Sequence, residues 1–164
     1  MQAYSDKTRM DGDTIAFVPT MGFFHDGHLK LMETGKSVCS RLVVSLFVNP
    51  TQFGPNEDLD AYPTNHERDM KLAEEKGADV LFMPDKTELY PQGYETYVSL
   101  EKLPLHLCGL SRPVHFRGVT TIVTKLFNMV KPHTAVFGQK DYQQLAIIRK
   151  MLQDLNSDIQ ILGV

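Results

Sequence analysis

A chain of 164 residues is long enough for one domain with a substantial core. Hydrophobic residues make up 42% and charged residues 23%, ordinary values for a soluble globular protein, and no apolar run is long enough to span a bilayer. A formal net charge of -3 and a pI of about 6.0 argue against a nucleic-acid partner, which needs a basic face, but leave room for a local pocket that takes one small anion.

Residues 1–13 are polar and mixed in charge, with no apolar stretch behind a basic start, so they do not read as a secretory signal. Cys39 and Cys108 lie far apart without metal-ligand spacing and read as reduced thiols of a cytoplasmic protein. Residues 15–20 form a short buried strand, followed by a loop over 21–26 and a helix from Gly27 or His28 to about Val38. Residues 42–48, β-branched and apolar on both faces, suit a central parallel strand. The segment 49–63 is rich in Asn, Pro and Asp and reads as a long loop, of a length that is usually functional or disordered.

Thr64 and Glu67 have the spacing of a capping box for a helix that stops at Gly77. A third strand is expected over 79–83, a turn over 88–93, a short strand over 96–100 and a short helix over 100–110. Residues 111–118 read as irregular, 119–130 as a helix, 134–138 as a strand, 142–155 as a helix and 158–162 as a fifth strand. Alternating strands and helices predict an α/β fold, a Rossmann-like doubly wound parallel sheet of about five strands with helices on both faces. Ligands of such sheets sit at the carboxyl ends of the strands, so the loops after strands one, two and four are the ones to inspect.

Four segments carry the chemistry. In Pro19-Thr-Met-Gly-Phe-Phe-His-Asp-Gly-His28 two histidines stand between a strand and a helix, where free N–H groups and the helix dipole attract phosphate. The structural alternative is that His25 caps the helix and His28 packs on a neighbour. Zinc is a poor fit, since no Cys or Glu stands at suitable spacing. In Phe47-Val-Asn-Pro-Thr-Gln-Phe53 the neutral amides of Asn49 and Gln52 suit a small hydroxy acid; otherwise Asn49 and Pro50 make a turn and Gln52 faces solvent. In Phe137-Gly-Gln-Lys-Asp-Tyr-Gln-Gln144 Gly138 permits close approach, Lys140 neutralises phosphate, Asp141 accepts from ribose hydroxyls and Gln144 lies one turn on, on the face of Lys140. The basic segment Ser111-Arg-Pro-Val-His-Phe-Arg-Gly118 offers Arg112, His115 and Arg117 to a triphosphate, or is a surface loop. Neither a Walker-type loop nor a dinucleotide glycine fingerprint is present.

Together these four segments, in this order, resemble the pantothenate synthetase family over nearly the whole chain. The histidine motif alone is shared with class I aminoacyl-tRNA synthetases and other nucleotidyl transferases. The resemblance implies ATP-dependent ligation of pantoate and β-alanine through pantoyl adenylate, by a homodimer, with Mg²⁺ held through the ATP phosphates rather than by a protein metal site. It implies an ATP site at Met21, Gly22, Phe23, Phe24, His25, Asp26, Gly27 and His28 and at Gly138, Gln139, Lys140 and Asp141, with His28 the catalytic proton donor. It places pantoate on Gln52 and Gln144 and β-alanine beside Gln52. The family continues into a Ser-Ser-Arg-Asn loop and a smaller C-terminal domain, so residues 1–164 are expected to be the nucleotide-binding domain alone, weakly active or inactive. The alternatives are another nucleotidyl transferase of the superfamily, for which a phosphorylated substrate would call for basic residues at positions 52 and 144, and a non-catalytic dimerisation or binding module.

Overall fold

In the computed structural model, which describes residues 1–54, 59 and 61–164, five parallel strands form one sheet in the order β3-β2-β1-β4-β5. The strands are β1 (Ile15–Thr20), β2 (Arg41–Leu46), β3 (Val80–Phe82), β4 (Thr134–Phe137) and β5 (Gln160–Gly163). The helices are α1 (Gln2–Met10), α2 (Asp26–Val38), α3 (His66–Glu75), α4 (Lys86–Leu89), α5 (Cys108–Ser111), α6 (His115–Val130) and α7 (Tyr142–Asp154). The doubly wound arrangement expected from the alternation of elements is the one found.

Side chains of β1 alternate between two cores, as the period of a strand requires. Ile15 and Phe17 face α6 and α7, where Ile122, Leu126, Ile148 and Met151 close one layer. Ala16 and Val18 face α2 and α3, where Leu31, Met32 and Ala73 close the other. The apolar surface removed from water on both faces is the main stabilising term. Because β1 lies between β2 and β4, the chain leaves all three strands at the same edge of the sheet.

Several elements differ from expectation, each for a local reason. Within residues 1–13, Gln2–Met10 forms α1, whose buried face is made of Ser5 and Thr8 rather than an apolar stripe. Arg9 donates from Nη1 to the Lys131 carbonyl at 2.9 Å and helps tie α1 to the end of α6. Asn65, not Thr64, caps α3, its Oδ1 accepting from the Arg68 N–H at 3.1 Å. Residues within 88–93 begin inside α4, where Asp85 and Glu88 form the capping box. No strand forms over 96–100, because the Val98 N–H and C=O are taken by the hydroxyls of Thr121 and Thr120. The 100–110 helix is instead a 3-10 turn (Leu103–Leu105) followed by α5. The helix expected from 119 begins at His115, with Gly118 inside it. Within 49–63, Pro50–Gln52 is a 3-10 turn, and the part of that loop reading over 55–58 and 60 lies outside the described residues. Among the described residues no helix is long and apolar enough to cross a membrane.

Candidate active site

The turns after β1, β2 and β4 enclose a cleft of about 510 Å³. Its floor is apolar, formed by Val119, Ile122, Val123 and Leu126 of α6 together with Phe47 and Phe137. Its rim is polar. Met21, His25, Gly27 and His28 come from the first turn, Gln52 from the second, and Gly138, Lys140, Asp141 and Gln144 from the third. Residues far apart in the chain thus meet at one sheet edge, which is what their placement after neighbouring strands requires.

The two histidines combine the structural and the chemical readings. His25 is the N-cap of α2, and its Nδ1 accepts from the Gly27 N–H at 3.1 Å. His28 completes a capping box, its Nδ1 accepting from the His25 N–H at 3.4 Å. With Nδ1 used as an acceptor on each ring, a neutral imidazole carries its proton on Nε2. The rings lie 4.1 Å apart, centroid to centroid. Burial, reinforced by the neighbouring His25 and partly opposed by Asp69 and Asp141, lowers the His28 pKa to about 4. His28 is therefore neutral at pH 7, with an N–H donor at the positive end of a helix dipole.

The loop feeding this helix is held by a residue that the sequence did not single out. Asp69 of α3 is fully buried, and its carboxylate accepts from the N–H groups of Phe23 at 2.6 Å and Phe24 at 2.8 Å. Gly22 has φ +88° and Phe23 φ +53°, so the loop crosses the left-handed region twice. Nothing in the sequence spacing links Asp69 to the loop 45 residues earlier, and only the packing of α3 on α2 reveals it.

Not every anticipated residue reaches the cleft surface. Gly22 backs onto Asp69 and Leu46, Phe24 is buried in the core, and Asp26 is an exposed first residue of α2. Phe23 is exposed beneath the Arg68 guanidinium, 5.7 Å from its ring centroid. Gln139 turns aside and donates from Nε2 to the Gly163 carbonyl at 2.9 Å. Lys30, Thr20 and Tyr62, unremarked in the sequence, do line the cleft.

The two amides of the second turn divide the work. Asn49 is buried within a bracket: Nδ2 donates to Gly118 O and to Gln52 Oε1, each at 3.1 Å. Gln52 is not in solvent; it is buried with Nε2 directed to the Met21 sulfur at 3.0 Å. A thioether is a weak acceptor, so this N–H group is available to a stronger one. The basic segment does not cover the cleft. Arg117 stacks on the Tyr97 ring at 3.8 Å, and His115 reaches the Gln52 carbonyl through Nδ1 at 3.1 Å. Among the described residues no three His, Cys, Asp or Glu side chains converge as a metal cage.

The chain resembles known proteins along its whole length. A family model described as pantoate-beta-alanine ligase matches residues 1–164. The pantothenate synthetase of Desulfatibacillum aliphaticivorans is 65% identical over 163 residues, covering 99% of this chain and 58% of that protein. The pantothenate synthetase of Geobacter sulfurreducens is 60% identical over 164 residues, covering 100% and 58%. The crystal structure of the Thermus thermophilus pantothenate synthetase superposes with a TM-score of 0.91 at 45% identity, over 98% of this chain and 59% of that one. The Francisella tularensis pantoate-beta-alanine ligase, complexed with beta-gamma ATP and beta-alanine, superposes with a TM-score of 0.91 at 36% identity, over 98% and 63%. The chain thus spans somewhat more than half the length of these relatives, and across that span it belongs to the pantoate–β-alanine ligase family.

Proposed function

We propose that this chain carries the ATP and pantoate sites of a ligase that joins pantoate to β-alanine through pantoyl adenylate. The observation that supports this most is the meeting of His25, His28, Lys140, Gln52 and Gln144 around a single cleft in a member of this family. The Francisella tularensis relative, complexed with beta-gamma ATP and beta-alanine, supports the same ligands here. A volume of about 510 Å³ lies in the range of small-molecule sites.

In this reading the pantoate carboxylate attacks the α-phosphate and pyrophosphate leaves. Negative charge grows on the phosphates opposite the α2 N-terminus, the Nε2–H groups of His25 and His28, and Lys140. Neutral His28 acts here as a hydrogen-bond donor rather than an imidazolium. Gly138, beside which an added Cβ would meet open space, leaves room for the nucleotide, and Asp141, which lines the cleft, would accept from a ribose hydroxyl. Gln52 and Gln144 hold the polar groups of pantoate, while the α6 floor takes its methyl groups. The amine of β-alanine, beside Gln52, then attacks the acyl adenylate and AMP departs. Mg²⁺ would be carried on the ATP phosphates and supply charge neutralisation there.

Residues 1–164 form the nucleotide-binding domain in this proposal. The unpaired Cys39 and Cys108 fit a cytoplasmic setting, and a homodimer is the expected assembly. The test is thermal unfolding of the purified chain with ATP and Mg²⁺, with and without pantoate. Each ligand is expected to raise the melting temperature by mass action. A chain that melts at the same temperature with and without millimolar ATP has lost this reading.

A further inference from the structure

Gln52 offers its amide to the cleft, but an amide side chain is useful only if its polarity is fixed. The donors and acceptors around Asn49 fix it. Gly118 contributes a carbonyl and Thr51 an N–H, which leave Asn49 one orientation, with Nδ2 toward Gln52 Oε1. Gln52 Oε1 is thereby engaged and its NH₂ is turned to Met21 and the cleft. The Thr51 N–H lies 3.4 Å from Asn49 Oδ1, a long bond. A better donor comes from far along the chain. The Tyr90 hydroxyl, at the C-cap of α4, donates to Asn49 Oδ1 at 2.9 Å. The Thr51 hydroxyl, 3.0 Å from Asn49 Oδ1 and 3.2 Å from the Tyr90 oxygen, completes the ring of donors.

The geometry points to Tyr90 as a positioning residue for the carboxylate substrate: its hydroxyl anchors Asn49, which sets the amide of Gln52. Tyr90 is not among the described residues that line the cleft, and it acts through this relay. Its own place is fixed by packing. Its ring lies 6.4 Å from Phe47 and 5.0 Å from Tyr94, edge to face with the latter, and the Lys125 ammonium is 5.6 Å from the Tyr90 centroid and 4.4 Å from that of Tyr94. Burial raises the Tyr90 pKa, so the phenol keeps its donor proton throughout the neutral range. The relay gives the segment that follows β3 an influence on substrate affinity without contact with substrate.

This inference rests on the reading that Gln52 binds pantoate, and the experiment separates the two. Tyr90→Phe keeps the ring and its stacking and removes only the hydroxyl. Pantoate affinity is measured by calorimetry in the presence of ATP and Mg²⁺, for the wild-type chain and for Y90F, Gln52→Ala and Thr51→Val. The side-chain amide signals of Asn49 and Gln52 are followed in ¹H–¹⁵N spectra of the ligand-free wild type and Y90F. Loss of one hydrogen bond at the end of a relay predicts a roughly five- to tenfold weaker pantoate affinity in Y90F, with ATP affinity unchanged and both amide signals shifted or broadened. If wild type binds and Q52A does not, but Y90F matches wild type with unmoved amide signals, Tyr90 has no positioning role. If ATP and pantoate affinities fall together in Y90F, the residue is merely structural and the inference is overturned. If wild type and Q52A bind pantoate equally, the pantoate reading of Gln52 fails instead, and with it any role of Tyr90 in affinity.

Discussion

The carboxylate of Asp69 holds the backbone N–H of Phe24 at 2.8 Å from a position in the chain 45 residues later, and its second oxygen holds Phe23 at 2.6 Å. One buried side chain thus fixes the loop that delivers His25 and His28 to the cleft. Left-handed backbone at Phe23 costs on the order of 1 kcal/mol. Two charge-assisted hydrogen bonds offset that cost and the desolvation of the carboxylate. The strain sits next to the residues proposed to meet phosphate, where a loop with alternative conformations would lose affinity.

Asp69→Ala leaves the buried Phe24 N–H and the part-buried Phe23 N–H without their acceptor, and a loss of about 3 kcal/mol in folding stability is expected. Asp69→Asn retains one acceptor oxygen and turns an NH₂ group against the other N–H, so about 2 kcal/mol is expected. Urea unfolding of both variants checks the order. ATP affinity should fall in D69N even under conditions where it is fully folded. Equal affinity in folded D69N and wild type would show that the loop holds its shape without the carboxylate.

The depressed pKa of His28 makes stability depend on pH. Between about 4, its value in the folded chain, and 6.5, its ordinary value, the unfolded chain binds a proton that the folded chain does not. Stability therefore falls as pH drops through that window and is unaffected by His28 above it. Solvent at the cleft mouth screens the effect, leaving on the order of 1–2 kcal/mol. Other groups titrate in acid too, including His133, whose pKa is also lowered, so the check is the difference between wild type and His28→Asn. That difference should shrink steadily from about pH 6.5 towards the folded-state value near 4. A constant difference would mean that His28 titrates alike in both states.

The sheet was legible because its strands announce themselves locally: Val43, Val44, Val136 and Ile15 are apolar or β-branched and flanked by turn residues. The three turns could be placed at one edge for the same reason. What sequence reasoning missed depends on distant partners. The face that α1 buries is Ser5 and Thr8, polar residues that are readable only once the α6 terminus is there to meet them. Val98 looks like strand, yet its hydrogen bonds go to threonine hydroxyls of α6. Asp69 sits in a polar helix and shows its importance only through the loop it holds. Arg117 and His115 read as phosphate ligands by composition, but aromatic and carbonyl partners hold them elsewhere.

Gly118→Ala and Gly138→Ala should separate packing from ligand access. A Cβ at Gly118 would lie 2.4 Å from the Thr51 carbonyl oxygen and 2.5 Å from the Gln52 nitrogen, both backbone atoms. Helix propensity alone would favour alanine by about 1 kcal/mol. A net loss of about 2 kcal/mol in G118A is nonetheless expected, since α6 and the Gln52 turn must separate. At Gly138 the added methyl meets nothing, and φ is -71°, so G138A should fold as well as wild type. Its defect should appear in nucleotide affinity. Melting temperatures with and without ATP distinguish the two patterns, and an unperturbed G118A would contradict the close contact.

His25 tests whether cap and chemistry can be parted. Its Nδ1 caps α2, a role that an asparagine oxygen fills well. His25→Asn should therefore match wild-type stability to within about 0.5 kcal/mol, whereas His25→Ala should lose about 1 kcal/mol. Both remove the Nε2–H group and the ring whose centroid lies 4.1 Å from that of His28. Removing His25 also takes away one cause of the depressed His28 pKa, so that value should rise in either variant, as histidine ring signals followed against pH would show. If H25N is as stable as wild type but binds ATP as weakly as H25A, the imidazole serves the ligand and not only the helix. If H25N recovers ATP affinity together with stability, the contribution of His25 is confined to holding the helix start.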